Sequence, residues 1–339
     1  MKQRRITPIL LGIAILTLIL DSRTAISAAS DAIDLCIRVA VPSLLPFFVL
    51  MSLLTSSLTE SINGLLRPIG RICGLPQGSE GLFLTGLLGG YPTGARSVAQ
   101  AYRQKRLSKD DATRMLAFCN NAGPAFIFGM VGQQFANWWI PWLIWSVQIL
   151  SALLTGIALR KPEKSVSHAI TQESISITQA LKSSIQAMTM VCGWIIMFRI
   201  LIEYLNKWFL HLLPATAHIL LVGLLELVNG CHQLSTVINV GLRFILACGM
   251  LSLGGLCVAM QTASVTEDLG IKQYLIGKAL QCGICFVVAY LLQLLFPKEM
   301  RFTLPSTVST VLPVSLAITA IILREFEKRC SIPGEIVVY

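Results

Sequence analysis

Stretches of about twenty mostly apolar residues recur from one end of this chain to the other, and that feature decides what it can fold into. A bilayer core about 30 Å thick is crossed by a helix of about 20 such residues. The runs cover 6–20, 36–58, 81–100, 114–132, 135–159, 186–205, 215–236, 243–262, 274–296 and 304–323. The longest polar stretch, Arg160 to about Gln179, is only loop-sized and leaves no room for a separate soluble domain. Composition agrees: 13% of the 339 residues are charged, against about 25% in an ordinary soluble domain. The net charge of +10 fits cytoplasmic loops and anionic headgroups. No basic stripe interleaved with aromatics accompanies it, so nucleic-acid binding is excluded.

Two of the runs are unlike ordinary spans. Segment 81–100, GLFLTGLLGGYPTGARSVAQ, holds five glycines, a proline and an arginine. Segment 215–236, ATAHILLVGLLELVNGCHQLST, has Glu226 near its middle and Asn229-Gly230 as a breaker. Such residues interrupt a helix, and inside a bilayer interrupted backbone is tolerated only where protein or a watery cavity satisfies it. Both segments are therefore expected to be re-entrant hairpins. The positive-inside rule gives the same answer. The loop Tyr102–Arg114 carries five Lys and Arg, and Arg160, Lys161 and Lys164, and the tail with Arg324, Lys328 and Arg329, are basic too. All fall on one side only if both segments turn back. The first run, 6–20, follows Lys2, Arg4 and Arg5; it reads as an uncleaved span, with a signal peptide cut near Ala25–Ser30 as the other reading.

The expected fold is an all-α polytopic membrane protein with about eight transmembrane helices plus two re-entrant hairpins in inverted repeats. Residues 1–35 form an N-terminal span and loop. Span, hairpin, span, span make a first repeat over 36–159. After a cytoplasmic linker at 160–185 the same order returns over 186–296, inverted because each half crosses three times. Residues 297–339 supply a last span and a basic tail. Leu87–Pro92 stands where the second half has Leu224–Gly230, and Ala117–Ile127 where it has Ala247–Cys257. Paired, broken, glycine-rich segments in two inverted halves point to a midplane substrate site in a secondary transporter.

The candidate site residues follow from those breaks. Gly90, Tyr91 and Thr93 lie in a glycine-dense turn whose backbone N–H groups can hold an anionic oxygen. Arg96 follows within one helical turn; its guanidinium suits a carboxylate, or it snorkels to the cytoplasmic face. Ser108 and Asp111 read as the capping box of a helix running into the membrane, and Pro124 should break it near Asn120 and Asn121. Those two amides either bind polar groups of a solute or satisfy the broken backbone. Glu226 and Asn229 occupy the second hairpin. A carboxylate at mid-depth is expensive, and it would take a proton or pair with Arg96, Arg199 or Arg243. His232 and Gln233 are weaker candidates, and His168 and His211 suggest no metal. Trp138, Trp139, Trp142 and Trp145 form an interfacial belt. Of the ten cysteines, Cys282-Gly-Ile-Cys285 has redox or zinc spacing, but in a continuous apolar run the thiols act as small hydrophobes.

Two motifs carry a family likeness. Gly89-Gly-Tyr-Pro-Thr-Gly-Ala-Arg96, then a polar loop, then Leu116-Ala-Phe-Cys-Asn-Asn-Ala-Gly-Pro-Ala-Phe-Ile-Phe-Gly129 resemble the sporulation integral membrane protein family of Gram-positive spore formers, in the nucleoside-recognition or Gate-domain superfamily. The likeness is strongest over 36–132. It implies a relation to concentrative nucleoside transporters, with two re-entrant hairpins in inverted repeats. It also implies movement of dipicolinate across the membrane surrounding the forespore. The expected function is thus secondary-type transport of a small polar or anionic aromatic solute, with the coupling ion, H+ or Na+, left open. The chain is expected not to be an enzyme and to need no cofactor. Its partners would be the solute and the lipid bilayer, with a homo-oligomer allowed. The alternatives are a membrane-embedded lipid-modifying enzyme, which would need clustered acidic or His residues at one face, and a non-transporting spore-membrane assembly protein, which has no use for broken helices.

Overall fold

The computed structural model describes residues 3–57, 60–161 and 176–303, and every regular element among them is helical. The elements are α1 (Gln3–Leu20), α2 (Ser22–Leu35), α3 (Val41–Ser57), α4 (Glu60–Cys73), α5 (Glu80–Gly89), α6 (Thr93–Arg103), α7 (Lys109–Leu116), α8 (Pro124–Phe126), α9 (Ile140–Ala158), α10 (Ile177–Trp208), α11 (Ala215–Leu225), α12 (Leu227–His232), α13 (Val240–Leu253), α14 (Gly255–Val265) and α15 (Lys272–Gln293). The expected span 304–323, the basic tail, Lys164, His168 and Cys330 lie outside the described residues.

Five helical stretches are long and apolar enough to cross a bilayer: Ser22–Leu54, Ile140–Ala158, Ile177–Trp208, Val240–Val265 and Lys272–Gln293. Apolar side chains of Ser22–Leu54, Ile177–Trp208 and Lys272–Gln293 are largely turned outward, as with Ile37, Leu50, Met190, Met197, Leu275 and Leu291, while Val240–Val265 is mostly buried inside. Helices of that length with apolar exteriors make this a polytopic helical membrane protein. The difference from eight has identifiable sources. Segment 304–323 is not described, the apolar part of α1 is short (Leu11–Leu20), and segment 114–132 is not one helix. That segment ends α7 at Leu116, runs without regular structure through Asn120–Gly123, and resumes at α8 before a π turn at Ile127–Val131. Pro124 is the first residue of α8, where its missing N–H costs nothing. The break therefore begins seven residues upstream, where the chain leaves α7.

Two helix boundaries also differ from expectation. Residues 22–35, expected as loop, are helical and continue through a π turn at Cys36–Ala40 into α3. Ala28, Ala32, Cys36 and Ala40 recur every fourth residue and are buried. Small side chains at that spacing form a stripe on which another helix can lie closely, and α10 packs there. At the other boundary, α10 starts inside the expected linker. Ser176 accepts from Gln179 N, and the Gln179 side chain returns to Ser176 N, a complete capping box.

Helices α9, α13 and α15 pack together as a central group, with α10 against α2 and α3. With 19 and 22 residues, α9 and α15 are about 28 and 33 Å long and separate two ends of the molecule. At one end Arg103 pairs with Asp268 at 2.8 Å, Lys161 with Asp110 at 2.9 Å and Arg67 with Glu80 at 2.8 Å. Buried Arg114 also donates there to the carbonyls of Cys73 and Gly74. At the other end Lys207 meets Asp21 at 2.6 Å, Arg243 donates to the carbonyls of Gln134 and Val237, and Asn239 donates to that of Arg301. Each contact joins segments that the charge rule assigns to one side of the membrane.

Candidate functional site

Two helix breaks meet between these ends. The first lies between α5 and α6. Helix α5 starts at Glu80, tied to Arg67, and α6 finishes at Arg103, tied to Asp268, so both outer ends sit at the basic end while Gly90–Pro92 turns inside. Glycine makes the turn fit. A Cβ added at Gly86 or Gly94 would overlap the Cys119 carbonyl, so the α5–α6 pair lies directly on the unwound 117–123 strand.

The second break lies between α11 and α12. Helix α11 enters from the opposite end, where His218 Nε2 is 3.3 Å from Asn206 Oδ1. The chain after α12 returns to that end, where Arg243 holds the Val237 carbonyl. Glu226 has extended backbone and caps α12. It accepts from Val228 N (3.1 Å), Asn229 N (2.7 Å) and Asn229 Nδ2 (2.8 Å). None of the arginines expected to partner it contacts it among the described residues. Arg199 pairs with Asp31 and Glu203, Arg243 binds carbonyls, and Arg96 is exposed on α6. A carboxylate beside free helical N–H groups at its own break satisfies them locally, so it needs no cation.

A cleft, about 550 Å3 including the open space at its mouth, lies between the tips. Gly89, Gly90 and Tyr91 supply one wall, Glu226, Leu227 and Val228 another, and Ala122, Gly123, Ala125 and Phe126 of the unwound strand a third. Leu44 and Phe48 of α3, Val191 of α10, and Val258 and Gln261 of α14 close it. The walls are mainly apolar, with polar groups at the tips and at Gln261 of α14, the usual make-up of a small-molecule site.

The candidate residues fall into layers around it. Gly90, Tyr91 and Glu226 line the cleft, and Asn229 is bonded to Glu226. Asn120 and Asn121 are buried one layer behind. Asn120 Nδ2 donates to Thr262 Oγ1 at 3.0 Å, and its Oδ1 accepts from Ala95 N at 3.2 Å. Asn121 Nδ2 donates to the Phe118 carbonyl at 2.7 Å. These amides thereby bind the broken strand to α6 and α14 and satisfy its backbone. Thr93 is half-buried at the start of α6. Tyr91 Oη donates to the Leu251 carbonyl at 2.9 Å, joining the first tip to α13 just before Gly254, whose left-handed backbone (φ 79°) separates α13 from α14. His232 is exposed at the end of α12. Cys282 and Cys285 lie on the continuous helix α15, with their sulfurs against the carbonyls of Gly249 and Cys248.

One residue escapes a search of the embedded segments for carboxylates. Lys278, on α15, is 1% exposed. Its Nζ donates to Gln281 Oε1 at 2.8 Å and Asn121 Oδ1 at 3.1 Å. The signal was a lone lysine between Gly277 and Ala279 inside the apolar run 274–296.

The fold and these breaks define a helical membrane protein with a cleft between two helix breaks. No family model matches the chain, and no solved structure matches it. It is similar to the sporulation integral membrane protein YlbJ of Bacillus subtilis (strain 168), 27% identical over 312 residues that cover 78% of this chain and 76% of that protein. The similarity supports the resemblance to sporulation membrane proteins that the motifs at 89–96 and 116–129 carry.

Proposed function

We propose that the chain is a secondary-type transporter of a small polar solute, in which α5–α6 and α11–α12 are re-entrant hairpins of two inverted repeats, 36–159 and 186–296. The supporting observation is the cleft itself. Its tips come from opposite ends of the molecule and meet at a break in the membrane-embedded helices. Broken helices around a midplane site suit alternating access, because each tip can open toward its own side. The same architecture is implied by the resemblance to the Gate-domain superfamily and the concentrative nucleoside transporters. Following the sporulation relative and the motif resemblance, the solute class is an anionic aromatic such as dipicolinate, and the site of action is the membrane around the forespore. The apolar walls suit a flat ring and the tips its polar substituents. No enzymatic step is part of this reading.

Uptake into proteoliposomes tests it, with thermal stabilisation of the purified protein by dipicolinate and by nucleosides as the binding readout. Saturable uptake of one of these solutes, weakened by Val258→Trp in the cleft wall, is expected. Neither uptake nor stabilisation by any of them, from correctly folded protein, would reject the proposal.

A further inference from the structure

Lys278 is buried, and the polar groups and rings nearest its Nζ are amide oxygens and tyrosine faces. Two amide oxygens accept from its Nζ. The ring centroids of Tyr91 and Tyr274 lie 5.2 and 5.9 Å from it, within the range of cation–π attraction. The neighbouring amides are oriented to keep their oxygens there. Gln281 Nε2 donates to Asn121 Oδ1 at 2.8 Å, and Asn121 Nδ2 turns away to the Phe118 carbonyl. No donor bond to Nζ occurs among the described residues. Nor does any carboxylate pair with it among those residues, so it is not half of a salt bridge. The ammonium instead sits as a metal or ammonium ion would, between oxygens of α15 and of the unwound strand, behind the Tyr91 ring that walls the cleft.

We propose that the Lys278 ammonium is a resident, covalently tethered cation in a monovalent-cation site built from the Asn121 and Gln281 amide oxygens and the Tyr91 and Tyr274 rings. It holds the broken first half in place without a free sodium ion. The assignment of the site stands apart from transport; only its consequence, sodium-independent uptake, rests on the proposed function.

The test is to remove the tether and return the ion. Purified Lys278→Ala should lose several degrees in its unfolding midpoint. Ammonium or methylammonium should restore much of that loss, tetramethylammonium should not, and Leu280→Ala, two residues along α15, should respond to none of them. Lys278→Met keeps the chain length without charge and should remain destabilised. Wild-type stability of Lys278→Met would overturn the proposal, as would failure of ammonium, methylammonium and Na+ alike to rescue Lys278→Ala. Wild-type uptake should be equal in sodium and choline media, and a sodium requirement would also overturn it. If no solute is taken up at all, the transport reading fails while the thermal rescue still decides this one.

Discussion

The two tips that meet at the cleft solve the same problem with different chemistry. At the first, between α5 and α6, the chain turns on glycine, and the cost of opening the helices is met by neighbours: Asn120 serves Ala95, Asn121 serves Phe118, and Lys278 serves Asn121. At the second, Glu226 reaches back over its own break and satisfies Val228 and Asn229. The first tip depends on close backbone approach and on a long-range polar network, the second on one local side chain. The first should therefore be the more easily broken by added bulk, and the second by loss of a single carboxylate.

The sharpest contrast is steric. Gly86→Ala drives a Cβ into the Cys119 carbonyl, where backbone rather than a flexible side chain must give. A loss of about 3 kcal/mol is expected, the upper part of the range for overpacking. Gly283→Ala on α15, with nothing within 4 Å, should be neutral or slightly stabilising. Equal unfolding midpoints for the two variants would remove the tight contact from the account.

At the second tip, Glu226→Ala leaves the α12 N–H groups uncapped and should cost about 1–2 kcal/mol. Glu226→Gln retains one acceptor oxygen and should cost less than half as much. If Gln is as damaging as Ala, the charge rather than the cap matters, and an unseen cationic partner must be sought. Across the two tips, Tyr91→Phe removes the bond to the Leu251 carbonyl, and about 1 kcal/mol is expected. The smallest effect belongs at the rim. Arg103 and Asp268 are both about half exposed, so Arg103→Ala should cost no more than about 1 kcal/mol.

How much of this could be read from residues alone follows the same division. The breaks near Gly90 and Glu226 were legible because glycine, proline and a carboxylate inside apolar runs have few other uses. The capping pair Ser108 and Asp111 was legible too; Asp111 N donates to Ser108 Oγ at 3.1 Å. The helix over 22–35 was not, because its packing face is made of alanines that carry little hydropathy. From sequence Glu226 is expected to take a proton or pair with an arginine, because a charge inside a bilayer is costly; the fold adds free N–H groups two and three residues away that it accepts from. From sequence Asn120 and Asn121 either bind a solute or satisfy the broken backbone, and only the fold reveals the Phe118 carbonyl, the Thr262 hydroxyl and the Ala95 N–H that they serve. Lys278 was passed over because one lysine hardly lowers the apolarity of its run.

Sidedness at four exposed positions separates two paired hairpins from two full spans. Gln77 and Lys105 flank the α5–α6 unit, and His211 and Ile238 flank the α11–α12 unit. Single cysteines at these sites on a cysteine-free background can be labelled in intact cells with a membrane-impermeant maleimide. Positions 77 and 105 should react only after the membrane is opened, while 211 and 238 should react from outside. Labelling of 77 and 105 from opposite sides, or of 211 and 238 from opposite sides, would make that segment a full span and contradict the paired-hairpin cleft.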